Sequence, residues 1–176
     1  MRKILTLSLT ILALQLSALE MELKPAQKHR HLAESRIDVE LDLFGVSYHT
    51  NRDYDFNESN YGVGVNLALS SPGYDHMYMV VSTGTYKDSY DEDAFFFMVG
   101  PRALIGYRNG FHATVGLQAG YLEGSGAKGI GAFPVLSVGY DWFDVCFTGQ
   151  PVENDTGSAE DSRMFALFLK FRLFDF

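Results

Sequence analysis

Strict alternation of apolar with small or polar residues is the feature of this sequence that most limits its fold. In residues 111–121 every second residue is apolar, and the residues between them are small or polar. Residues 61–69, 37–43 and 163–176 repeat the pattern. Because successive side chains of a strand point to opposite faces, each run predicts a strand with one apolar face.

Eight such runs can be counted along the chain. They cover residues 37–48, 60–70, 76–86, 94–108, 111–122, 131–140, 142–149 and 163–176. Long connections lie near residues 49–59, 87–93, 123–130 and 150–162. Short connections lie near residues 71–75, 109–110 and 140–142, and Asn109-Gly110 is a strong hairpin signal. Roughly ten residues suffice for a tilted transmembrane strand, and short turns alternating with longer loops are typical of outer-membrane barrels.

We therefore predict an all-β fold, an eight-stranded antiparallel transmembrane β-barrel over residues 37–176. The alternation slips near Leu173, which predicts a local irregularity in the last strand. A soluble lipocalin-like barrel would also have eight alternating strands. The run A-F-F-F-M-V at 94–99 is apolar on both faces, which favours a bilayer.

The N-terminal segment has the composition of an export signal. Residues 1–18 combine a basic start, an apolar stretch and small residues, as a secretory signal peptide does. The apolar stretch is short for a transmembrane anchor, which must cross roughly 30 Å of hydrocarbon. Residues 19–36 are rich in basic side chains but contain Pro25, so they fit either a short amphipathic helix or a flexible arm.

Composition narrows the function classes. Without residues 1–18, which hold two basic side chains and no acid, the formal net charge falls from −8 to −10. This acidity argues against nucleic acid as a partner. Cys146 is the only cysteine and cannot form an internal disulfide. We predict no cofactor and no metal site: residues 124–129 match G-x-G-x-x-G, but a strand follows them rather than a helix, which indicates an external loop.

Three residues with catalytic chemistry fall at the same end of the predicted barrel. His49 ends the first strand, and Asp88 and Ser89 end the third. Both strands run toward the side of the long loops, so the three residues share one rim. A histidine, a carboxylate and a hydroxyl can support acyl transfer, although a solvated turn has the same composition.

Four short segments of the chain match one known family. They are H-T at 49–50 with F-N-E-S-N-Y-G-V-G at 56–64, Y-K-D-S-Y at 86–90, P-V-L-S-V-G-Y at 134–140, and F-R-L-F-D-F at the C-terminus. By these segments the chain resembles the PagP family of outer-membrane lipid A acyltransferases, over roughly residues 44–176. This resemblance implies a monomeric enzyme of the bacterial outer membrane, with its active site facing the cell exterior. That enzyme would transfer palmitate or a similar acyl chain from a phospholipid to lipid A.

The resemblance also implies residue roles. His49, Asp88 and Ser89 match the residues that the family requires for acyl transfer, with the histidine as general base. Pro134 and Pro151 match prolines that open a lateral path for lipid between the sixth and seventh strands. Gly100 matches the glycine that limits the depth of the acyl pocket, with Met98 beside it in place of a small residue.

Departures from the family pattern leave a second interpretation open. Phe44 and Asn60 occupy the approximate positions of the prolines that weaken the pairing of the first two strands in the family. Tyr48 and Tyr90 replace tryptophans. The alternative is a non-catalytic small outer-membrane barrel with a structural or adhesive role.

Overall fold

The computed structural model describes residues 35–50, 55–70, 73–74, 76–124, 127–151 and 163–176. The predicted signal peptide and residues 19–34 of the predicted arm lie outside the described residues. Within the described ranges, no helix is long and apolar enough to cross a membrane.

Eight antiparallel strands form a closed barrel. Each strand pairs with its neighbours along the chain, and β8 pairs with β1 to complete the ring. The strands are β1 Arg36–His49, β2 Ser59–Ser70, β3 Met77–Lys87, β4 Asp93–Gly106, β5 Phe111–Gly124, β6 Ala127–Tyr140, β7 Phe143–Pro151 and β8 Arg163–Asp175. The prediction of an all-β, eight-stranded antiparallel barrel is confirmed.

The two ends of the barrel differ in their connections. The end where β1 finishes and β2 begins is called the loop end, and the opposite end is called the turn end. At the turn end β6 and β7 are joined by a two-residue turn, in which Asp141 has a φ of 55°. At the same end, between β4 and β5, Gly110 donates its N–H to the carbonyl of Tyr107, in the hairpin that Asn109-Gly110 predicts.

One loop-end connection is shorter than predicted. The interval 123–130 was expected to be a loop, but β5 reaches Gly124 and β6 begins at Ala127. The pairing continues to Gly124 and Ala127 because Gly124 and Gly129 adopt φ values of +151° and +154°, which side-chain-bearing residues rarely adopt. Lys128 also pairs with Glu123 across the hairpin at 2.8 Å.

Two irregularities interrupt the pairing of β1 with β8. Opposite the step from Val39 to Glu40, β8 advances by two residues, so Leu173 is an extra residue. This is the irregularity that the sequence predicts. On β1, Phe44 pairs with Phe168 and Val46 with Leu167, which makes Gly45 an extra residue.

The alternation gives the barrel an apolar exterior. Large hydrophobic side chains are exposed on the outer face of all eight strands, for example Leu43, Val65, Met79, Phe97, Leu117, Val138, Phe147 and Leu169. Exposed aromatic side chains mark both ends. Those of the turn end include Tyr107, Phe111, Tyr140, Trp142 and Phe176, and those of the loop end include Tyr48, Tyr61 and Tyr90.

The interior of the turn-end half is charged. Arg102 donates two hydrogen bonds to the carboxylate of Glu40, at 2.8 and 2.6 Å, and both side chains are buried. The buried Lys170 lies 3.8 Å from the same carboxylate. His112 contacts Asp144 at 2.6 Å. A charge this deep is tolerated only when it is paired, so this network fills the lumen and connects β1, β4 and β8.

The buried pair of Arg102 and Glu40 should contribute strongly to stability. We expect Arg102→Met to lower the free energy of unfolding by about 3–5 kcal/mol, because it leaves the buried Glu40 without its main partner. The double variant Arg102→Met/Glu40→Leu should recover only part of that loss, because the buried Lys170 then loses the carboxylate beside it. Urea unfolding in detergent micelles measures both effects.

The control is Lys128→Met, which removes an exposed ion pair at the loop end. Exposed pairs contribute roughly 0–1 kcal/mol, so this variant should unfold close to the wild type. Equal stabilities for the Arg102 and Lys128 variants would contradict the assigned importance of the buried pair.

Candidate active site

A histidine and a serine form a hydrogen-bonded dyad at the loop end. His49 is the last residue of β1, and Ser89 lies in the turn that follows β3. The distance from Nε2 of His49 to Oγ of Ser89 is 2.8 Å. Each residue is only 1% exposed. The distance lies within the range over which a general base takes a proton from a hydroxyl.

The inward orientation of His49 depends on the extra residue in β1. Counting by two from the outward Leu43 would direct His49 to the outer face. Because Gly45 is an extra residue, Val46 and Tyr48 face outward instead, and His49 faces the interior. The sequence contains the signal, since the outward apolar residues of β1 step by two up to Leu43 and then by three to Val46.

Asp88 holds the turn that carries Ser89. Its Oδ1 accepts hydrogen bonds from the backbone N–H groups of Tyr90 and Glu92, at 2.8 and 2.9 Å. Its own N–H donates to the carbonyl of Glu92. A carboxylate that accepts nearby backbone N–H groups is a common way of fixing a turn. Asp88 is 1% exposed and directly precedes Ser89, so this turn determines where the hydroxyl lies.

The segment before β2 covers the dyad. The ring of Phe56 stacks on the imidazole of His49, with centroids 4.5 Å apart and planes inclined by 25°. Asn57 donates its backbone N–H to the carbonyl of Ser89 at 2.9 Å and its side-chain amide to the carbonyl of Asp88 at 3.0 Å. Asn60, the second residue of β2, donates its side-chain amide to the carbonyl of Lys87 at 2.8 Å. This segment therefore joins β1 and the turn after β3. Sequence reasoning assigned Phe56 and Asn57 no role, because ring stacking follows no sequence pattern and the contacts of Asn57 join segments about thirty residues apart.

An apolar cavity of about 110 Å³ lies in the loop-end half of the barrel. Ser89 adjoins it through Met164, whose sulfur lies 3.8 Å from Oγ of Ser89. Rings and aliphatic side chains form most of its wall, including Phe44, Tyr86, Phe96, Met98, Leu122, Phe133, Val135, Met164 and Phe168. The dyad is thus next to a space that suits hydrocarbon.

Met98 and Gly100 lie on the inner side of β4. Met98 is 5% exposed and lines the cavity. Gly100 is one inward position closer to the turn end and is not among the lining residues in the described part of the chain. A Cβ at Gly100 would lie 1.9 Å from the carbonyl oxygen of Leu117 on β5. Gly100 is therefore required for the close approach of two strands.

The wall between β6 and β7 is incompletely paired at the loop end. Their ladder begins at Val135 and Thr148, and among the described residues no β6–β7 pair lies nearer the loop end. Pro134 has no N–H to donate, and its carbonyl accepts the Thr148 hydroxyl at 2.8 Å. Pro151 pairs only with Arg163 of β8 in that part of the chain. The gap opens beside Val135 and Thr148, which both line the cavity.

Comparisons with known proteins do not assign this chain to a family. No protein-family model matches the sequence, and a search of curated proteins finds no significant match. Among the described residues, no group of three or more histidine, cysteine or acidic side chains could hold a metal ion.

The close contact at Gly100 should make any side chain there costly. We expect Gly100→Ala to lower the free energy of unfolding by about 1–3 kcal/mol, because the added methyl group would overlap the backbone of β5. Gly45→Ala is the matched control, since its nearest neighbour would be 4.0 Å away. Urea unfolding in micelles compares them, and an equally small effect at both sites would contradict the assignment.

Proposed function

We propose that this chain is an acyltransferase of the bacterial outer membrane, which moves a fatty acyl chain, palmitate or similar, from a phospholipid to lipid A of lipopolysaccharide. The observation that carries the proposal is the buried dyad of His49 and Ser89 next to an apolar cavity. A dyad alone is compatible with many hydroxyl chemistries. The adjoining hydrocarbon-lined space selects a substrate with an acyl chain.

The dyad supplies the proton transfers that ester exchange needs. His49 takes the proton from an attacking hydroxyl, whose oxygen bonds to the acyl carbonyl carbon. The bond from that carbon to the glycerol oxygen breaks, and His49 returns the proton to this oxygen, leaving a lysophospholipid. The attacking hydroxyl is that of Ser89, in which case lipid A then takes the acyl group from the serine, or that of lipid A itself. Both routes use His49 as the base.

The gap between β6 and β7 supports lateral access for lipid. An acyl chain held in a bilayer can reach the barrel interior only through the wall or over the rim. Pro134 lies at the point where the ladder stops, and the gap leads to Val135 and Thr148 of the cavity wall. On the opposite side Phe44 pairs with Gly62, and Ser47 donates its N–H to Glu58, so the pairing of β1 with β2 continues toward the rim. We therefore assign one lateral path rather than two.

The distribution of side chains supports the location. An apolar exterior with exposed aromatic residues at both ends, around an interior that is charged in its turn-end half, is typical of a barrel that spans a bilayer. Short turns on the periplasmic side would direct the loop end, and with it the dyad, to the cell exterior. Each strand pairs with a neighbour on both sides, which is consistent with a monomer, and the loop-end edge of β6, unpaired with β7 in the described part of the chain, is the proposed lateral path.

Transfer to lipid A should depend on the dyad. In a host lacking this activity, wild-type protein is expected to add one acyl chain to lipid A, measured by mass spectrometry. Ser89→Ala and His49→Ala should each lower the rate by roughly 10²–10⁴-fold, the typical contribution of general base catalysis. Ser70→Ala and His76→Gln are matched controls at the turn end, and they should leave the rate unchanged.

The same experiment separates the competing functions. Unchanged lipid A in cells that contain folded wild-type protein would contradict the proposal and favour a non-catalytic barrel. Release of free fatty acid without acylated lipid A would indicate a hydrolase instead. A serine-linked acyl group trapped on the wild type would identify Ser89 as the nucleophile.

The observed contacts of Asp88 predict a difference between two substitutions. Asp88→Asn keeps an oxygen that can accept the N–H groups of Tyr90 and Glu92, whereas Asp88→Ala removes it. If Asp88 acts by holding the turn, Asp88→Asn should retain lipid A acylation within about tenfold, and Asp88→Ala should lose about as much as Ser89→Ala. Equal losses in both variants would show instead that the negative charge acts on His49.

A further inference from the structure

A layer of hydrogen-bonded polar side chains closes the cavity on the side away from the dyad. Gln118 donates its side-chain amide to Oγ of Ser82 at 2.9 Å, and Asn66 donates to Asp42 at 2.8 Å. Gln118, Ser82 and Asp42 line the cavity, and they are its lining residues nearest the turn end on β5, β3 and β1. Beyond this layer lie Arg102 and Glu40.

The polar layer resists the passage of hydrocarbon. A chain end that pushed Gln118 aside would break the hydrogen bond to Ser82 and bury both groups without a new partner. A chain end that stops above the layer meets mainly the rings, methionines and aliphatic side chains of the wall. The layer therefore acts as a floor of the cavity. A chain that passed it would have to break hydrogen bonds as well as displace side chains.

Gln118 also occupies the space beside Gly100. β4 lies between β3 and β5, so the amide of Gln118 must cross the inner side of β4 to reach Ser82. Ser82 pairs with Met98, and a Cβ at Gly100 would lie 2.9 Å from Cα of Gln118. A side chain at Gly100 would overlap the backbone of Leu117 and Gln118, so its absence allows the close approach of β4 and β5 rather than leaving room for a ligand. The resemblance implied a floor at Gly100, and these contacts move it one layer closer to the dyad.

We propose that Gln118, held by Ser82, determines the length of the acyl chain that the site accepts. This proposal rests on the proposed function. Gln118 and Ser82 line the cavity and Gly100 does not, so the floor lies on the dyad side of Gly100, with Met98 also in the cavity wall. The cavity volume of about 110 Å³ is below the roughly 150 Å³ of a cavity that binds benzene. The accepted chain is therefore shorter than one that would reach Gly100, and it enters as the flexible side chains of Met98 and Met164 adjust.

The test measures the transferred acyl group by the mass of lipid A, in cells or with donors of graded chain length. One methylene in an apolar pocket changes selectivity by roughly 10–200-fold. We expect wild-type protein to prefer one length at least about tenfold over a chain two carbons longer. Gln118→Ala should abolish or reverse that preference, because the chain end gains the space of the amide. Gln118→Met keeps the volume but cannot bond to Ser82, so it should broaden the selection toward longer chains less than Gln118→Ala does.

A second, smaller substitution distinguishes a change in the floor from misfolding of the protein. Ser82→Ala removes only the hydroxyl that anchors Gln118, and it should broaden the selection toward longer chains. Folding of each variant is checked by its heat-modifiable electrophoretic mobility. Wild-type selectivity in folded, active Gln118→Ala and Ser82→Ala would overturn the floor while leaving the acyltransferase intact. Absence of acylation by the wild-type protein would overturn the proposed function instead.

Discussion

Closure of the ladder is the constraint on which the rest of this structure depends. Once β8 pairs with β1, each residue has a fixed side, and alternate residues along every strand fill the lumen. The chain therefore buries charges that an ordinary core would exclude. Arg102 and Glu40 are acceptable inside only because the register sets them opposite each other across the lumen, where each neutralises the other. The same register leaves the outer face to hydrocarbon side chains.

Departures from regular pairing coincide with the features that could carry chemistry. The extra residue at Gly45 turns His49 inward, and without it the imidazole would face away from Ser89. Pro134 marks the end of the β6–β7 ladder beside the cavity. Gly100 lets β4 approach the backbone of β5 so closely that no side chain fits at that position. A uniform barrel would have neither an inward histidine at this rim nor a gap in its wall. Stability and the candidate site thus depend on different parts of the same ladder.

The sequence predicts the strands well because their signal is local. A period of two marks most of the strands, and β4 begins instead with a run that is apolar on both faces. The number and approximate bounds of the strands follow from these local patterns. The slip at Leu173 is also visible, since the apolar positions change parity there. The shift at Gly45 leaves the same kind of trace in the step from Leu43 to Val46. The alternation of the first run is regular only as far as Leu43, so the strand is predictable to residue 48 but the side on which His49 lies is not.

The arrangement around the dyad could be predicted only in part. Topology places His49 and Ser89 on one rim, but their distance depends on contacts between distant segments. Asn57 and Phe56 join the turn after β3 to the end of β1 through backbone carbonyls and ring stacking. Such contacts have no periodicity and can be made by many residue types. The extension of β6 to Ala127 was unpredictable for a related reason, since a glycine-rich segment is compatible with a loop as well as with a strand.

The division of the lumen into two halves explains how one small barrel could be both stable and reactive. The turn-end half is filled by paired charges, whereas the loop-end half retains an apolar space. That space forgoes contacts that a filled core would make. Burial of the dyad has a second consequence under the proposed function. With His49 and Ser89 only 1% exposed, bulk water has little access to an acyl group held there. The hydroxyl group of a second lipid, delivered from the membrane, is then a better acceptor of the acyl group than water. This favours transfer over hydrolysis.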